Sequence, residues 1–305
     1  TDVLDRPVTG PSVWTGEQMR GHTDWIHVLT PSDIAEIDQA LAAVKAAGTP
    51  LFAIGPKDFP LPTLLPRLAR IRAEVSDGRG FVLLRGLPIE RYSLDDARLL
   101  FWGLASYLGR AEGQDKAGSL MHQVTDTGKQ VENSESTRGY ETNNELQFHN
   151  DGGDAFMLLC MRPAKSGGVS KLMSAGALFN EILRRRPDLA RVAQQPFHFD
   201  SRAQNPADVK VQSVPIFTWH AGHLNVLHKR GYIKTAQRFP EVPRLTDEQT
   251  EVLDMIDEVC NDPAWHLSFD MQAGDMQIGN NFSVLHSRTQ YEDHPDPERK
   301  RLLLR

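Results

Sequence analysis

Apolar positions along this chain fall into two regimes: stripes at helical spacing, which prevail before residue 155, and short continuous or alternating runs, which cluster after it. Thr30-Pro31-Ser32-Asp33 opens a helix, with a hydroxyl cap, proline at the first helical position and an acid at the third. Ile34, Ile37, Leu41 and Val44 form its apolar stripe, and Gly48 ends it. A second helix is expected over Leu64 to Val75. Ser76-Asp77-Gly78-Arg79-Gly80 then forces a turn, and the apolar run Phe81-Val82-Leu83-Leu84 reads as a buried strand. Ser93 with Asp96 at the third position caps a helix that carries Leu99, Leu100, Trp102, Leu104 and Leu108 before Gly109. Residues 110 to 142 are polar and low in periodicity, the character of a lid or binding loop.

After that loop, Phe156-Met157-Leu158-Leu159-Cys160-Met161 is expected as a central strand. Ser174 begins a helix containing Leu178, Ile182 and Leu183 and stopped by Pro187, and its Arg184-Arg185-Arg186 reads as a solvated face in preference to an anion site. Ile216-Phe217-Thr218-Trp219 and Leu224-Asn225-Val226-Leu227 suggest antiparallel strands. Thr246-Asp247-Glu248-Gln249 is a capping box for a helix carrying Val252, Leu253, Ile256 and Cys260. There is no internal repeat or low-complexity tract. Periodicity alone therefore supports a mixed α and β chain.

Composition narrows the class. With 305 residues, 40% hydrophobic and 24% charged, the chain is large enough to bury a substantial core in one domain with elaborations, or at most two. A net charge of −6 does not suggest a nucleic-acid partner. Cys160 and Cys260, the two cysteines, both sit in apolar patterns and suit a reducing, cytoplasmic compartment better than a disulfide framework. No run of about 18 apolar residues could span a bilayer, and no leader-like pattern is read at Thr1. Residues 1 to 30 are polar and proline-bearing, with Trp14 and Trp25 as expected anchors onto the body of the fold.

The candidate chemistry begins in Asn143 to Asp154, at His149-Asn150-Asp151. In an extended segment His149 and Asp151 face one way while Phe148 and Asn150 face the other. An imidazole and a carboxylate so placed are two thirds of the two-histidine, one-carboxylate face that suits a non-haem Fe(II) oxygenase. Alone, the motif is weak, and a surface turn rich in Asn, Asp and Gly is the better reading of it. Far downstream, Gly274 to Arg288 brings a third ligand candidate, His286, and Arg301 and Arg305 follow four apart. A guanidinium fork matches a carboxylate with two charge-assisted bonds, as a dicarboxylate co-substrate beside the metal would require; taken alone, these arginines are an exposed basic cluster. Tyr140 and Asn144 are candidates for the substrate pocket, or else residues that pack and cap the loop. His198, His220, His223 and His228 are not read as a zinc site, because no cysteine lies nearby and His220 and His223 span a turn at Gly222.

Taken in order, His149-x-Asp151, Gly167-Gly168-Val169-Ser170, His286, Arg301 and Arg305 resemble the taurine dioxygenase (TauD/TfdA) family of Fe(II)- and 2-oxoglutarate-dependent oxygenases, from about Gly80 onward. Gly10-Pro11-Ser12-Val13-Trp14 and Asp24-Trp25-Ile26 read like less-characterised members. The resemblance implies that His149, Asp151 and His286 bind Fe(II), that Arg301 and Ser170 hold the distal carboxylate of 2-oxoglutarate, and that O2 is consumed with release of succinate and CO2. Ser170 stands where the family has threonine, keeping the hydroxyl and losing the methyl. Arg305 matches a position that meets an anionic substrate group, so a small acid or amino acid is the expected substrate; the alternative is a salt bridge behind the site. Asp151 argues against the halogenating relatives, which lack the carboxylate. Hydroxylation is the usual outcome, with ring closure or desaturation available from the same radical.

The implied fold is α+β, a distorted double-stranded β-helix (jelly roll) core with flanking helices. Residues 1–305 then form a single oxygenase domain, with 1–75 an N-terminal, mainly helical elaboration. Two other readings stand beside it: a hydrolase using the same ligands around zinc, and a non-catalytic binding module on the same fold. The partner expected is a small-molecule substrate, with neither nucleic acid nor membrane, and homo-oligomer formation is left open.

Overall fold

The computed structural model describes residues 3–129, 138–205, 207 and 209–305. The N-terminal part contains α1 (Gly16–Met19), β1 (Ile26–Val28), α2 (Pro31–Ala47), α3 (Leu65–Ser76), β2 (Phe81–Arg85) and α4 (Leu94–Ala105). The capping chemistry expected of α2 is present: the Thr30 hydroxyl accepts from the Asp33 amide at 3.2 Å and the Asp33 carboxylate from the Thr30 amide at 2.7 Å. Gly48 closes the helix at φ 63°. Ser93 likewise caps α4, accepting from the Asp96 amide at 3.1 Å. That helix ends at Ala105, so Leu108, expected within it, lies beyond. The Ser106 hydroxyl donates to the Gly103 carbonyl at 2.7 Å, a local bond that competes with continuation of the helix.

Next come β3 (Gln123–Val124), β4 (Leu146–His149), β5 (Ala155–Arg162), β6 (Ser166–Gly167), β7 (Ser170–Ser174), α5 (Ala175–Arg185) and α6 (Pro187–Val192). Pro187 both stops α5 and starts α6, where a missing amide costs nothing. Arg184, Arg185 and Arg186 are paired with Glu181, Glu258, and Asp188 with Glu251, the solvated face expected of them. The chain continues through β8 (Pro196–Asp200), β9 (Val211–Pro215), β10 (Phe217–His220), β11 (His223–Val226), α7 (Arg230–Ala236), α8 (Asp247–Asn261), β12 (His266–Phe269), β13 (Met276–Asn280), β14 (Val284–Arg288), β15 (Tyr291–Glu292) and β16 (Leu302–Leu304). The β10–β11 hairpin turns through Ala221 and Gly222.

Two sheets form the jelly-roll core, a six-stranded one in the order β1-β2-β13-β5-β16-β3 and a four-stranded one in the order β12-β7-β14-β4. All neighbours are antiparallel except β1 and β2. Three strands of the larger sheet precede residue 155, which the apolar pattern did not foretell beyond β2, because β1 and β3 are too short to alternate. β2 is buried on both faces, which accounts for its continuous apolar run. Val82 and Leu84 face α2, α3 and α4, while Phe81 and Leu83 face the space between the sheets with Leu172 and Val284. Trp14 and Trp25 close that space, their rings 5.1 and 5.6 Å from Phe81, and so anchor the N-terminal segment as expected. A further core lies among α5, α6 and α8. Cys160 and Cys260 are buried free thiols. Among the described residues no helix is long and apolar enough to cross a membrane.

Candidate active site

Sheet periodicity places the site. On β16 and its flanks, Leu302 and Leu304 pack toward the helices, so Arg301, Leu303 and Arg305 turn to the opposite face and line a cleft of about 1180 Å³. On β14, His286 and Arg288 share a face by the same rule and enter the same cleft. His149, at the end of β4, sits directly opposite His286 in the antiparallel register, and the two rings lie 4.3 Å apart. Asp151 follows two residues on. Its carboxylate oxygens stand 3.9 Å from His149 Nε2 and 3.5 Å from His286 Nε2. Among the described residues these three are the one group whose histidine, cysteine or carboxylate ligand atoms converge, all within 4.8 Å of one another. His198, His220, His223 and His228 do not join such a group.

The residues facing away hold the triad in place. Phe148 packs into the core with α5 and α8. Asn150 is buried, and its side-chain amide donates to the Asn281 and Val284 carbonyls at 2.8 and 3.0 Å while its oxygen accepts from the His228 amide at 2.9 Å. Asn281 in turn accepts from the Asp151 amide at 3.1 Å. His149 Nδ1 lies 2.7 Å from the Gln147 carbonyl; with the proton there, Nε2 presents a lone pair to the centre. Burial and the neighbouring His286 push the His149 pKa down to about 3 against the pull of Asp151, so its imidazole is neutral and able to ligate. Burial opposes ionisation of Asp151, but Arg305 and the two imidazoles hold its carboxyl well below the usual carboxylate range.

Deeper in the cleft, Arg288 and Arg301 are both 5% exposed, and their guanidinium carbons lie 4.7 and 4.9 Å from the centroid of the Tyr291 ring. Two buried like charges this close destabilise each other. Burial and Arg301 bring the Arg288 pKa down to about 10, and burial lowers that of Arg301. Among the described residues, Arg288 Nε and Nη1, Arg301 Nη1 and the Gln277 side-chain oxygen have no hydrogen-bond partner. Ser170, on β7, pairs in register with Arg288 and lines the same pocket. The Gly167-Gly168 pair before it explains itself: both residues have φ near +70°, and a Cβ on Gly167 would stand 2.3 Å from the Gln290 carbonyl. A buried pocket of unspent guanidinium donors beside a two-histidine, one-carboxylate face fits a dicarboxylate next to a metal ion.

At the mouth, Arg305 Nη1 lies 3.4 Å from both Asp151 oxygens, its Nε donates to Gln114 Oε1 at 2.7 Å, and its guanidinium stacks 4.3 Å from the Tyr140 ring. Tyr140 also lines the cleft, as does the exposed Asn144, whose carbonyl accepts from Arg288. All eight site residues read from the sequence thus line one cleft. Arg288, Gln277, Gln114 and Lys229 were not among them. Arg288 had a signal, since it shares the face of His286 two residues away; the others carry none.

Residues 45–305 match the family described as "Taurine catabolism dioxygenase TauD, TfdA family". The FR-33289 synthase of Streptomyces rubellomurinus is 30% identical over 302 residues, which span 97% of this chain and 87% of that protein. The taurine hydroxylase-like protein SAT17 of Stachybotrys chartarum is 30% identical over 306 residues, 96% of this chain and 77% of that protein. The solved structure of asparagine oxygenase in complex with Fe(II), 2S,3S-3-hydroxyasparagine and succinate has the same fold, with a TM-score of 0.69 over 92% of both chains at 19% identity. The chain belongs to the TauD/TfdA family of Fe(II)- and 2-oxoglutarate-dependent dioxygenases.

Proposed function

We propose that this dioxygenase hydroxylates a C–H bond of a small anionic or amino-acid-like substrate, releasing succinate and CO2. The observation that carries this reading is the shared cleft: the metal-type triad, the under-satisfied arginine pair and Arg305 all open onto one space. His149, Asp151 and His286 supply the ligands. Bound Fe(II) and 2-oxoglutarate together supply O2 activation coupled to decarboxylation, the chemistry that removes hydrogen from a C–H bond. Arg301 and Ser170 hold the distal carboxylate of the co-substrate, with Arg288 as a further donor. Leu158, Val124 and Leu303 give that pocket apolar walls that limit water. With Asp151 engaged as a ligand, Arg305 Nη1 is left to take a substrate oxyanion, and Tyr140 keeps its guanidinium in place from one face.

In this reading residues 1–305 act as one oxygenase domain with 1–75 as an N-terminal elaboration. Its unpaired, buried cysteines suit a reducing cytoplasmic setting. A zinc hydrolase would leave Arg288 and Arg301 with no dicarboxylate to bind, so the oxygenase reading is preferred. The test is succinate release across a panel of amino acids and small acids, with Fe(II), 2-oxoglutarate and O2 present. A substrate-dependent rise with a product one oxygen atom heavier is expected, absent in His149→Ala. Succinate formation that persists undiminished in that variant would contradict the reading.

A further inference from the structure

The cleft is far more cationic than the chain around it. The protein carries a formal net charge of −6, yet among the described residues nine lysines and arginines line the cleft against only Glu145, Asp151 and Asp200. Much of this charge is already assigned. Arg230 pairs with Asp254 and Asp257, Arg238 approaches Asp200 at 3.4 Å, and Arg288, Arg301 and Arg305 belong to the site described above.

Lys229 is different. It follows His228, whose amide and carbonyl are both hydrogen-bonded to Asn150, at 2.9 and 3.1 Å. Its backbone is therefore tied to the residue between His149 and Asp151. Its side chain lines the cleft with those ligands, and its ammonium sits 5.1 Å from the centroid of the Tyr232 ring. The Arg202 guanidinium carbon lies 5.9 Å from the same centroid, so one aromatic ring gathers two cations on the α7 wall. Among the described residues no carboxylate forms an ion pair with Lys229. Asp151, which favours its charge, is already shared by Arg305 and two imidazoles, and burial, Arg138 and Arg305 all weaken its hold on the proton. An ammonium has three donors, and leaving it in a partly buried wall without an anion is unfavourable unless a ligand answers it.

We propose that Lys229 anchors a second oxyanion of the substrate on the α7 wall, apart from the group held by Arg305, so that the substrate is a small dianion bearing a carboxylate and a further carboxylate, sulfonate or phosphonate. The proposal rests on the oxygenase reading above. Its test is calorimetric titration of the Fe(II)- and 2-oxoglutarate-loaded protein under anaerobic conditions with propionate, glutarate, 3-sulfopropionate and 3-phosphonopropionate, for the wild type, Lys229→Met and Lys229→Arg. At least one dianion is expected to bind the wild type about tenfold or more tighter than propionate, to lose that advantage in Lys229→Met and to keep it in Lys229→Arg. The tightest arm identifies the oxyanion. Dianions that bind the wild type no better than propionate overturn the proposal without need of a variant. So does an equal loss for propionate and dianions in Lys229→Met, which would put both cations on one oxyanion. A wild type that gives no visible charge-transfer band with Fe(II) and 2-oxoglutarate would instead remove the oxygenase reading itself, a result distinct from a flat titration in a protein that shows the band.

Discussion

Nη1 of Arg305 stands 3.4 Å from each oxygen of Asp151, so the residue proposed to meet the substrate also guards the charge of the carboxylate in the proposed metal triad. Replacing it by methionine removes the cation that most strongly favours the ionised carboxyl. Protons then compete better with metal, and Fe(II) binding by Arg305→Met is expected to fall away at higher pH than in the wild type. Near neutral pH affinity should hold or improve, because a cation no longer repels the ion. Metal titrations between about pH 3.5 and pH 7 check this, spanning the ordinary carboxylate range; superimposable profiles would rule it out.

Arg301→Gln and Arg288→Gln should each weaken 2-oxoglutarate binding while leaving Fe(II) binding intact. A charge-assisted hydrogen bond in such a setting is worth about 1.5–3 kcal/mol, or roughly tenfold to a hundredfold in affinity. Arg288 also donates to the Thr142 and Asn144 carbonyls, so its loss should loosen that segment and raise hydrogen exchange there. Unaltered co-substrate affinity in both variants would remove the arginine pair from the binding site.

Asn150→Leu should destabilise the metal-free protein by about 2–4 kcal/mol. It strands the Asn281 and Val284 carbonyls and the His228 amide, all held by one buried side chain. Because Asn150 lies between His149 and Asp151, the proposed ligands, iron affinity should fall as well. Urea denaturation and iron titration measure the two effects; a stable variant with normal iron content would show that the loop does not depend on this network.

His228 is fully buried, neither ring nitrogen has a hydrogen-bond partner among the described residues, and burial with Arg230 nearby pushes its pKa down to about 4. The folded state therefore resists protonation that the unfolded chain accepts near pH 6.5. The sign follows: stability from this group is complete above about pH 6.5 and is lost as pH falls toward 4, amounting to about 2 kcal/mol by pH 5. Urea midpoints of the metal-free protein at pH 7 and pH 5 should differ less in His228→Leu than in the wild type. An equal pH effect in both would place the acid sensitivity elsewhere.

Much of the site could be read from the chain, though not from any one motif. His149-x-Asp151 alone reads as a turn, and His286 with Arg301 and Arg305 as an exposed basic cluster; it is their order along the chain, with Gly167 to Ser170 between them, that gives the family resemblance and so the site. Arg288 sat in plain view beside His286, but a charged residue at the end of an apolar run looks like a solvated tail until the structure shows it buried against Tyr291. Lys229 lines the cleft, and Gln114 bonds to Arg305 behind it, only through long closures of the chain, Lys229 by the tie between His228 and Asn150. No local pattern encodes such contacts. The helices followed their caps and glycines, as at Thr30 and Gly48. The short strands β1 and β3 did not declare themselves, because two or three residues joined to a sheet by backbone bonds need no alternation of their own.

The most direct test is whether one site binds iron and co-substrate together. Fe(II)-loaded protein should be titrated anaerobically with 2-oxoglutarate while the weak visible charge-transfer band of the chelate is followed. The band is expected to grow and saturate in the wild type, to require much more 2-oxoglutarate in Arg301→Gln, and to be absent in His149→Ala. A wild-type protein that binds Fe(II) yet develops no band would contradict the joint site formed by His149, Asp151, His286 and the two buried arginines.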